Sequence, residues 1–298
     1  MKKLRIAHLS DPHFGTVRPE VHRSLQTMIQ ELEPDLIAVS GDLTQRAHPV
    51  QFRAAREFFK SLEPIPLLAV PGNHDIALYN VFSRLFFPYR NFHRFLRCAS
   101  GDKVSMQGVD VLALNSTSRF RFVQGRLRGT ALQRRLSQDF ADSEMRVVIF
   151  HHPLGCPKRV DTKNILRNSR EVVKMLEAHR VDLVLGGHIH DPYVSLSHET
   201  YPGVERSAVI AVGGTCLSWR TRADAPNSFN WIEITMGITP GPSLRISRYD
   251  MQKDHKFRSI CQEEFLRHED FGWQRVQFPT KEAFDPGDRS EEYADPTL

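Results

Sequence analysis

Five short apolar runs each stop abruptly at a polar cluster: LRIAHLS before Asp11, PDLIAVS before Gly41 and Asp42, IPLLAV before Pro71, MRVVIF before His151, and VDLVL before Gly186. Runs of this length, rich in branched residues and bounded by Gly or Pro, have the pattern of buried strands. GVDVLALN, ending at Asn115, is a sixth. Between them, helical spacing puts Val21, Leu25, Met28, Ile29 and Leu32 on one face, and Phe52, Ala55, Phe58, Phe59 and Leu62 on another. TALQRRLSQDF and SREVVKMLEAHR add two amphipathic helices, with Thr130 and Ser169 as the expected N-caps. Strands alternating with helices imply an α/β layer structure with parallel pairing.

In such sheets ligands bind outside the carboxyl ends of the strands, where the connecting loops converge. Those ends carry Asp11 and His13, then Asp42, then Asn73 and His74, then His151 and His152, then His188 and His190. Carboxylates and imidazoles without thiolates are the ligand set of a divalent metal such as Mn, Fe, Zn or Ni. There are too many of them for one ion. Taken singly, a His at a strand end is more often a hydrogen-bonded loop residue, and an Asp after Gly a turn or a helix cap. Ligand chemistry at every one of these ends is what sets the chain apart. DPH and HIH place donors at i and i+2, the spacing that shares one side of an extended segment. Gly41, Gly72, Gly186 and Gly187 are expected to let backbone pass close to the site. Asp42, lying between the groups, is the natural bridge, having two oxygens to share.

A hydrophobic content of 40% and a charged content of 25% exclude disordered and fibrous classes. Cys98, Cys156, Cys216 and Cys261 make no CxxC pair, so neither a thiolate zinc site nor a disulfide framework is expected. MKKLRIAHLSD lacks the apolar core of an export signal, and no stretch approaches the ~20 apolar residues of a membrane span. The expected location is the cytoplasm. After Ser207, SAVIAVGGTCLSW, FNWIEITM and SLRISRYDM have the pattern of a strand meander, expected to form a second sheet packed on the first. The sequence therefore divides into a catalytic domain over 1–250 and a polar appendage over 251–298, partly helical or disordered, with a helix expected near Ile260 to Leu266. VFSRLFFPYRNFHRFLR, residues 81–97, alternates aromatics with arginines. It suits a lid or weak interfacial contact, or an amphipathic helix and loop packed on the core, interrupted by Pro88.

DPH, GDLT, GNHD, HHP and GGHIH, in this order, resemble the motifs of the calcineurin-like metallophosphoesterases, with spacing most like that of bacterial class III cyclic-nucleotide phosphodiesterases. The resemblance spans residues 5 to about 235. It implies a four-layer αββα sandwich, two packed mixed sheets flanked by helices. It also implies two divalent ions, one held by Asp11, His13, Asp42 and His190, the other by Asp42, Asn73, His151 and His188. His151 is preferred to His152 by the family's His-x-Pro pattern, and His152 precedes Pro153, which confines it to extended geometry. Counting charges over two ions, two carboxylates and a bridging hydroxide leaves the centre at about +1, ready for a phosphate oxygen. Neutral Asn73 preserves that excess.

The implied reaction is hydrolysis of a phosphoester by a metal-activated hydroxide. His74 is the expected general acid for the leaving oxygen, or a donor to the phosphate. Asp75 is expected to orient and stabilise the His74 imidazole, with a helix N-cap as its alternative. A small phosphodiester such as a 3′,5′-cyclic nucleotide is the expected substrate, with a phosphomonoester or a lipid-linked pyrophosphate or diester as alternatives. The net charge of +5 lends weak support to a phosphorylated ligand. No nucleic-acid-binding module is recognisable, which disfavours a nuclease, and an inert scaffold would have lost ligands. Arg46, Arg119, Arg159 and Arg220 lie in loops near the motifs and are candidate substrate clamps, unranked by the sequence.

Overall fold

The computed structural model describes residues 1–78, 80–96, 102–140, 143–222 and 225–276. The chain begins with strand β1 (Lys2–Leu9), helix α1 (Pro19–Leu32), strand β2 (Leu36–Val39), helix α2 (Pro49–Lys60) and strand β3 (Leu67–Ala69). These make two consecutive β-α-β units: β1, β2 and β3 pair in parallel, with Ile6 opposite Leu36 and Val39 opposite Ala69. Two short helices follow, α3 (Val81–Phe86) and α4 (Arg90–Phe95).

A second sheet is then built from β4 (Lys103–Met106), β5 (Val109–Ala113), β6 (Met145–Ile149), β7 (Leu183–Gly186), β8 (Tyr193–Leu196) and β9 (Val209–Val212). Helices α5 (Gly129–Asp139), α6 (Ser169–Ala178) and α7 (Ser197–Thr200) lie between its strands in sequence. Its order is β4-β5-β6-β7-β9-β8, parallel in the middle and antiparallel at both edges. Finally β10 (Ser228–Met236), β11 (Ser243–Met251), β12 (Phe257–His268) and β13 (Gly272–Arg275) return to the first sheet, giving the order β13-β12-β11-β10-β1-β2-β3.

Alternation along each strand distributes its side chains between layers. Leu4, Ile6 and Leu36 meet Val147, Ile149 and Leu185 between the sheets. On the outer face of the first sheet, Ala7, Leu9 and Val39 pack with Leu25 and Ile29 of α1 and Phe52 and Phe58 of α2. On the second sheet's outer face, Leu112, Val148 and Val184 pack with Leu132 and Leu136 of α5 and Val172 and Leu176 of α6. The result is the expected four-layer αββα sandwich of two mixed sheets.

Three local expectations are corrected. The C-terminal meander does not make a sheet of its own: β9 pairs in parallel with β7, whereas β10 runs antiparallel to β1 from Lys2↔Met236 to His8↔Asn230. The helix expected near Ile260 to Leu266 is instead part of β12. Its dense charge serves cross-strand pairs, Arg245 to Glu264 at 2.6 Å and Arg275 to Glu263, on the solvent side of a sheet. Thr130 and Ser169 are not N-caps, because α5 and α6 start after Arg128 and Asn168. The Asn168 amide is used elsewhere, donating to the Leu127 carbonyl at 2.7 Å. The final stretch of the expected appendage, 277–298, lies outside the described residues, as does Arg97.

Candidate metal centre

The loops after β1, β2, β3, β6 and β7 converge on one buried cluster. The first two run side by side, with Asp11 N donating to the Gly41 carbonyl and His13 N to the Asp42 carbonyl, at 3.1 and 3.0 Å. Gly41, at φ 96°, makes this possible, since a Cβ there would lie 2.6 Å from His151 Nδ1. A Cβ on Gly187 would lie 1.9 Å from Ser10 Oγ. Gly186 has no such role; a Cβ there would meet its nearest neighbours at 3.7 Å, an ordinary contact.

Asp11, His13, Asp42 and His190 form one group able to hold a cation, and Asp42, His151 and His188 a second. His190 Nε2 lies 3.2 Å from Asp11 Oδ1 and 3.1 Å from His13 Nε2. On the other side, His151 Nε2 lies 3.4 Å from Asp42 Oδ1, 3.1 Å from Asn73 Oδ1 and 3.2 Å from His188 Nδ1. Asp42 stands between the groups, its Oδ2 being 3.8 Å from His13 Nε2. All seven sequence-derived candidate ligands are thus brought together.

The hydrogen bonds behind the cluster decide which atoms face inward. His151 Nδ1 is 2.7 Å from the Ser40 carbonyl and His190 Nδ1 is 2.6 Å from that of Arg220. Each ring must donate there, so its Nε2 presents a lone pair to the cluster when the ring is neutral. Asp11 Oδ2 accepts from Ser10 Oγ at 2.5 Å and His188 N at 3.0 Å, while Oδ1 is buried without a donor. An orphaned carboxylate oxygen facing imidazole lone pairs is a costly arrangement unless a cation sits among them.

The electrostatics agree. Burial opposes ionisation of Asp11 and Asp42, yet His190 beside the first and His151 beside the second hold both carboxyls below the usual range. Burial likewise opposes charge on His151, but Asp42 and Asp11 outweigh it and lift that ring to about 9. Burial depresses His13 and His188 to about 3, leaving them neutral lone-pair donors. Two ionised carboxylates that recruit a proton onto a buried neighbour are short of positive charge, and these residues fit a pair of divalent cations.

The backbone corrects the reasoning by which DPH and HIH were expected to aim two donors one way. Neither is extended. Asp11, His13, Asp42, His188 and His190 have φ of 49°, 46°, 51°, 76° and 56°, the left-handed region. Such residues cost on the order of 1–3 kcal/mol each and gather at functional sites. Asp and His are among the residues that visit this region most readily, which is the signal the sequence offered.

His74 and Asp75 part company. The His74 ring is held by Nδ1 at 2.9 Å from the Gln45 carbonyl, and its Nε2 lies 3.3 Å from Arg220 Nη1. Its backbone N donates to Asp42 Oδ1 at 2.8 Å. Asp75 does not support that ring, contrary to expectation. Its carboxylate accepts from Leu43 N, Thr44 N, Thr44 Oγ1 and Gly72 N, at 3.0, 2.8, 2.8 and 2.9 Å. Burial, and then the Asp42 charge, push it up to about 7 against those donors. It ties the GDLT loop to the GNHD loop and reaches back to the residue before its turn, as a cap does. Asp75→Ala should therefore lower stability by about 3 kcal/mol or more, from three backbone donors left unpaired. Thermal unfolding checks this; an unchanged melting temperature with a slowed reaction would restore the catalytic role.

His152 stands apart from the metal-facing atoms, with Nδ1 2.9 Å from Ser116 Oγ and Nε2 2.7 Å from the Val123 carbonyl. Of the loop arginines whose side chains are described, Arg220 is placed against a candidate catalytic group, His74; its Nη1 also donates to Gln45 Oε1 at 3.0 Å. Arg119 donates to the Leu85 carbonyl at 2.5 Å. Sequence reasoning missed Gln45 and a buried chain behind Asp11. There, Asn230 Nδ2, His8, Ser40 and Ser10 are linked at 3.2, 3.0 and 2.7 Å. Burial holds His8 at about 3 and hence neutral. A His inside an apolar strand gave no hint of this.

The family profile described as calcineurin-like phosphoesterase matches residues 4–192, and the chain belongs to that family. It is a metallophosphoesterase, a class of hydrolase that uses a dinuclear divalent metal centre. Among individual proteins, it is similar to a probable cyclic nucleotide phosphodiesterase of Synechococcus sp., 31% identical over 210 residues, 64% of this chain and 75% of the relative. The solved structure of PhoD shares the fold with a TM-score of 0.64 at 13% identity, over 94% of this chain and 72% of that one. A dimetal phosphatase from Danio rerio does so at 0.55 and 13% identity, over 89% and 99%.

Proposed function

We propose that this chain hydrolyses a small phosphodiester, such as a 3′,5′-cyclic nucleotide, at a dinuclear metal centre. The observation that carries the proposal is the pair of ligand groups sharing Asp42 between two oxygens. One ion is assigned to Asp11, His13, Asp42 and His190, the other to Asp42, Asn73, His151 and His188. Such a pair supplies Lewis-acid stabilisation of phosphoryl charge and a nucleophilic water at neutral pH. Opening the cyclic diester adds water across one P–O bond: oxygen goes to phosphorus and a proton to the departing ribose oxygen.

His74 is the residue assigned to that proton. With Nδ1–H donating to the Gln45 carbonyl, the ring turns Nε2 outward beside Arg220. Protonated there, it can donate to the leaving oxygen, and the Arg220 guanidinium beside it is assigned to a phosphoryl oxygen. A cleft of about 770 Å³ starts at Pro71, two residues before Asn73, and is lined also by Tyr89, Asn115, Thr117 and Arg126 among others. That size suits a small-molecule ligand. Among the described residues no candidate metal ligand lines it, and its contact with the loop that carries Asn73 and His74 is the ground for assigning it to the organic part of the substrate. The Synechococcus relative's name, a cyclic nucleotide phosphodiesterase, supports the diester reading.

The test is turnover of manganese-loaded protein on bis-p-nitrophenyl phosphate, p-nitrophenyl phosphate, 3′,5′- and 2′,3′-cyclic AMP, and short DNA. Diester preference is expected, with activity abolished by a chelator and regained on adding manganese. A preference for the monoester, or turnover indifferent to chelation, would overturn the proposal.

A further inference from the structure

Segments 81–95 and 115–135 together contain nine arginines and not one Asp or Glu. Since the whole chain carries a formal net charge of only +5, the rest of it is net negative. Positive charge is concentrated in these two segments, and the fold puts them side by side. Arg84, only 5% exposed, donates to the carbonyls of Arg119, Arg121 and Ala77 at 2.7, 2.7 and 3.2 Å. Arg119 returns a bond to the Leu85 carbonyl, and the Arg84 guanidinium lies 4.2 Å from the centre of the Phe122 ring. This reciprocal latch fixes one segment against the other.

What it presents outward is apolar. Phe82, Phe86, Phe87, Phe120 and Phe122 are 65%, 62%, 52%, 73% and 57% exposed. Phe82 packs on Phe86 and Phe87, with ring centres 4.8 and 6.2 Å away. Scattered exposed apolar residues are ordinary; five phenylalanines displayed by a latched scaffold mark an interaction surface. Arg90 and Arg94 are exposed beside them, as are Arg121, Arg126 and Arg128 where this face meets the cleft.

We propose that this face docks the protein peripherally on an anionic phospholipid surface, the phenylalanines entering the interface and the arginines meeting headgroup phosphates. Apolar side chains ringed by cations are what such a surface attracts. Exposed Val81 and Val123 extend the apolar area and cannot stack on nucleic-acid bases. Phe82 and Phe86 of α3 and the following Phe87 are also tilted on one another instead of spread as separate platforms for bases. Among the described residues no helix is long and apolar enough to cross a membrane, so contact through this face is peripheral. The surface lies at the margin of the metal centre, because the Val123 carbonyl accepts from His152 Nε2 at 2.7 Å. Docking does not depend on which phosphoester is cleaved.

The full-length protein should cosediment with vesicles of equal parts phosphatidylglycerol and phosphatidylcholine, and far less with phosphatidylcholine alone. Phe82→Ser/Phe86→Ser and Arg90→Glu/Arg94→Glu should each weaken binding about tenfold or more. Both pairs are exposed, so unfolding temperatures should match the parent and show that the variants are folded. No binding to anionic vesicles by the parent would overturn the proposal, as would two folded variants that bind like it. Preference for single-stranded DNA over anionic vesicles would overturn it in favour of a nucleic-acid surface.

Discussion

Asp42→Ala is expected to strip metal from both halves of the centre at once. Asp42 offers one oxygen to each ligand group, Oδ1 toward His151 and Oδ2 toward His13. Even ligand-supporting residues change metal affinity by about 10- to 100-fold when removed, so losing a shared ligand should exceed that for both ions. Elemental analysis should find well under two metals per chain, with turnover falling in step. The change also removes the acceptor for His74 N, so the candidate acid loses its anchor along with the metal. His188→Ala is the control, affecting one group only. Full metal content in the Asp42 variant would rule out the bridge.

His74→Ala should behave in the opposite way, keeping both metals and losing on the order of 10² to 10⁴ in rate on cyclic AMP. The ring contributes no atom to either ligand group. Its loss should be felt unevenly across substrates. A p-nitrophenolate leaves readily without a proton, whereas a ribose oxygen does not, so bis-p-nitrophenyl phosphate should be much less affected than cyclic AMP. An equal loss on both substrates would move His74 from proton donor to phosphate binder. An undiminished rate on cyclic AMP would remove it from the reaction.

The metal cluster was legible because its chemistry is written at strand ends, and strand ends are what apolar runs reveal. Five loops each carry metal-ligand chemistry; parallel pairing gathers three of them in the first sheet and two in the second, and packing of the two sheets brings the groups together. Pairing partners were less legible. VIAV of β9 is buried at every position, as any central strand would be, and nothing in those residues says which sheet it joins. In β12, alternation was hidden by charges whose partners lie on neighbouring strands. The role of Asp75 is hidden in the sequence for a related reason. Three of its four donors are backbone groups, at 43, 44 and 72, and backbone is invisible to a reading of side-chain types, which favours the adjacent imidazole instead. What distinguishes Arg220 among the loop arginines is tertiary, the meeting of Gln45 and His74 at its Nη1.

The left-handed backbone at Asp11, His13, Asp42, His188 and His190 has a consequence for how this sequence can change over time. At each of these positions the side chain that performs the chemistry is poorly matched to its own main chain, and glycine would relax it. Drift at the centre is therefore biased: a substitution that abolishes function there can leave a sturdier protein. Selection for thermal robustness alone would erode the five positions together, and only continued demand for catalysis holds them in place.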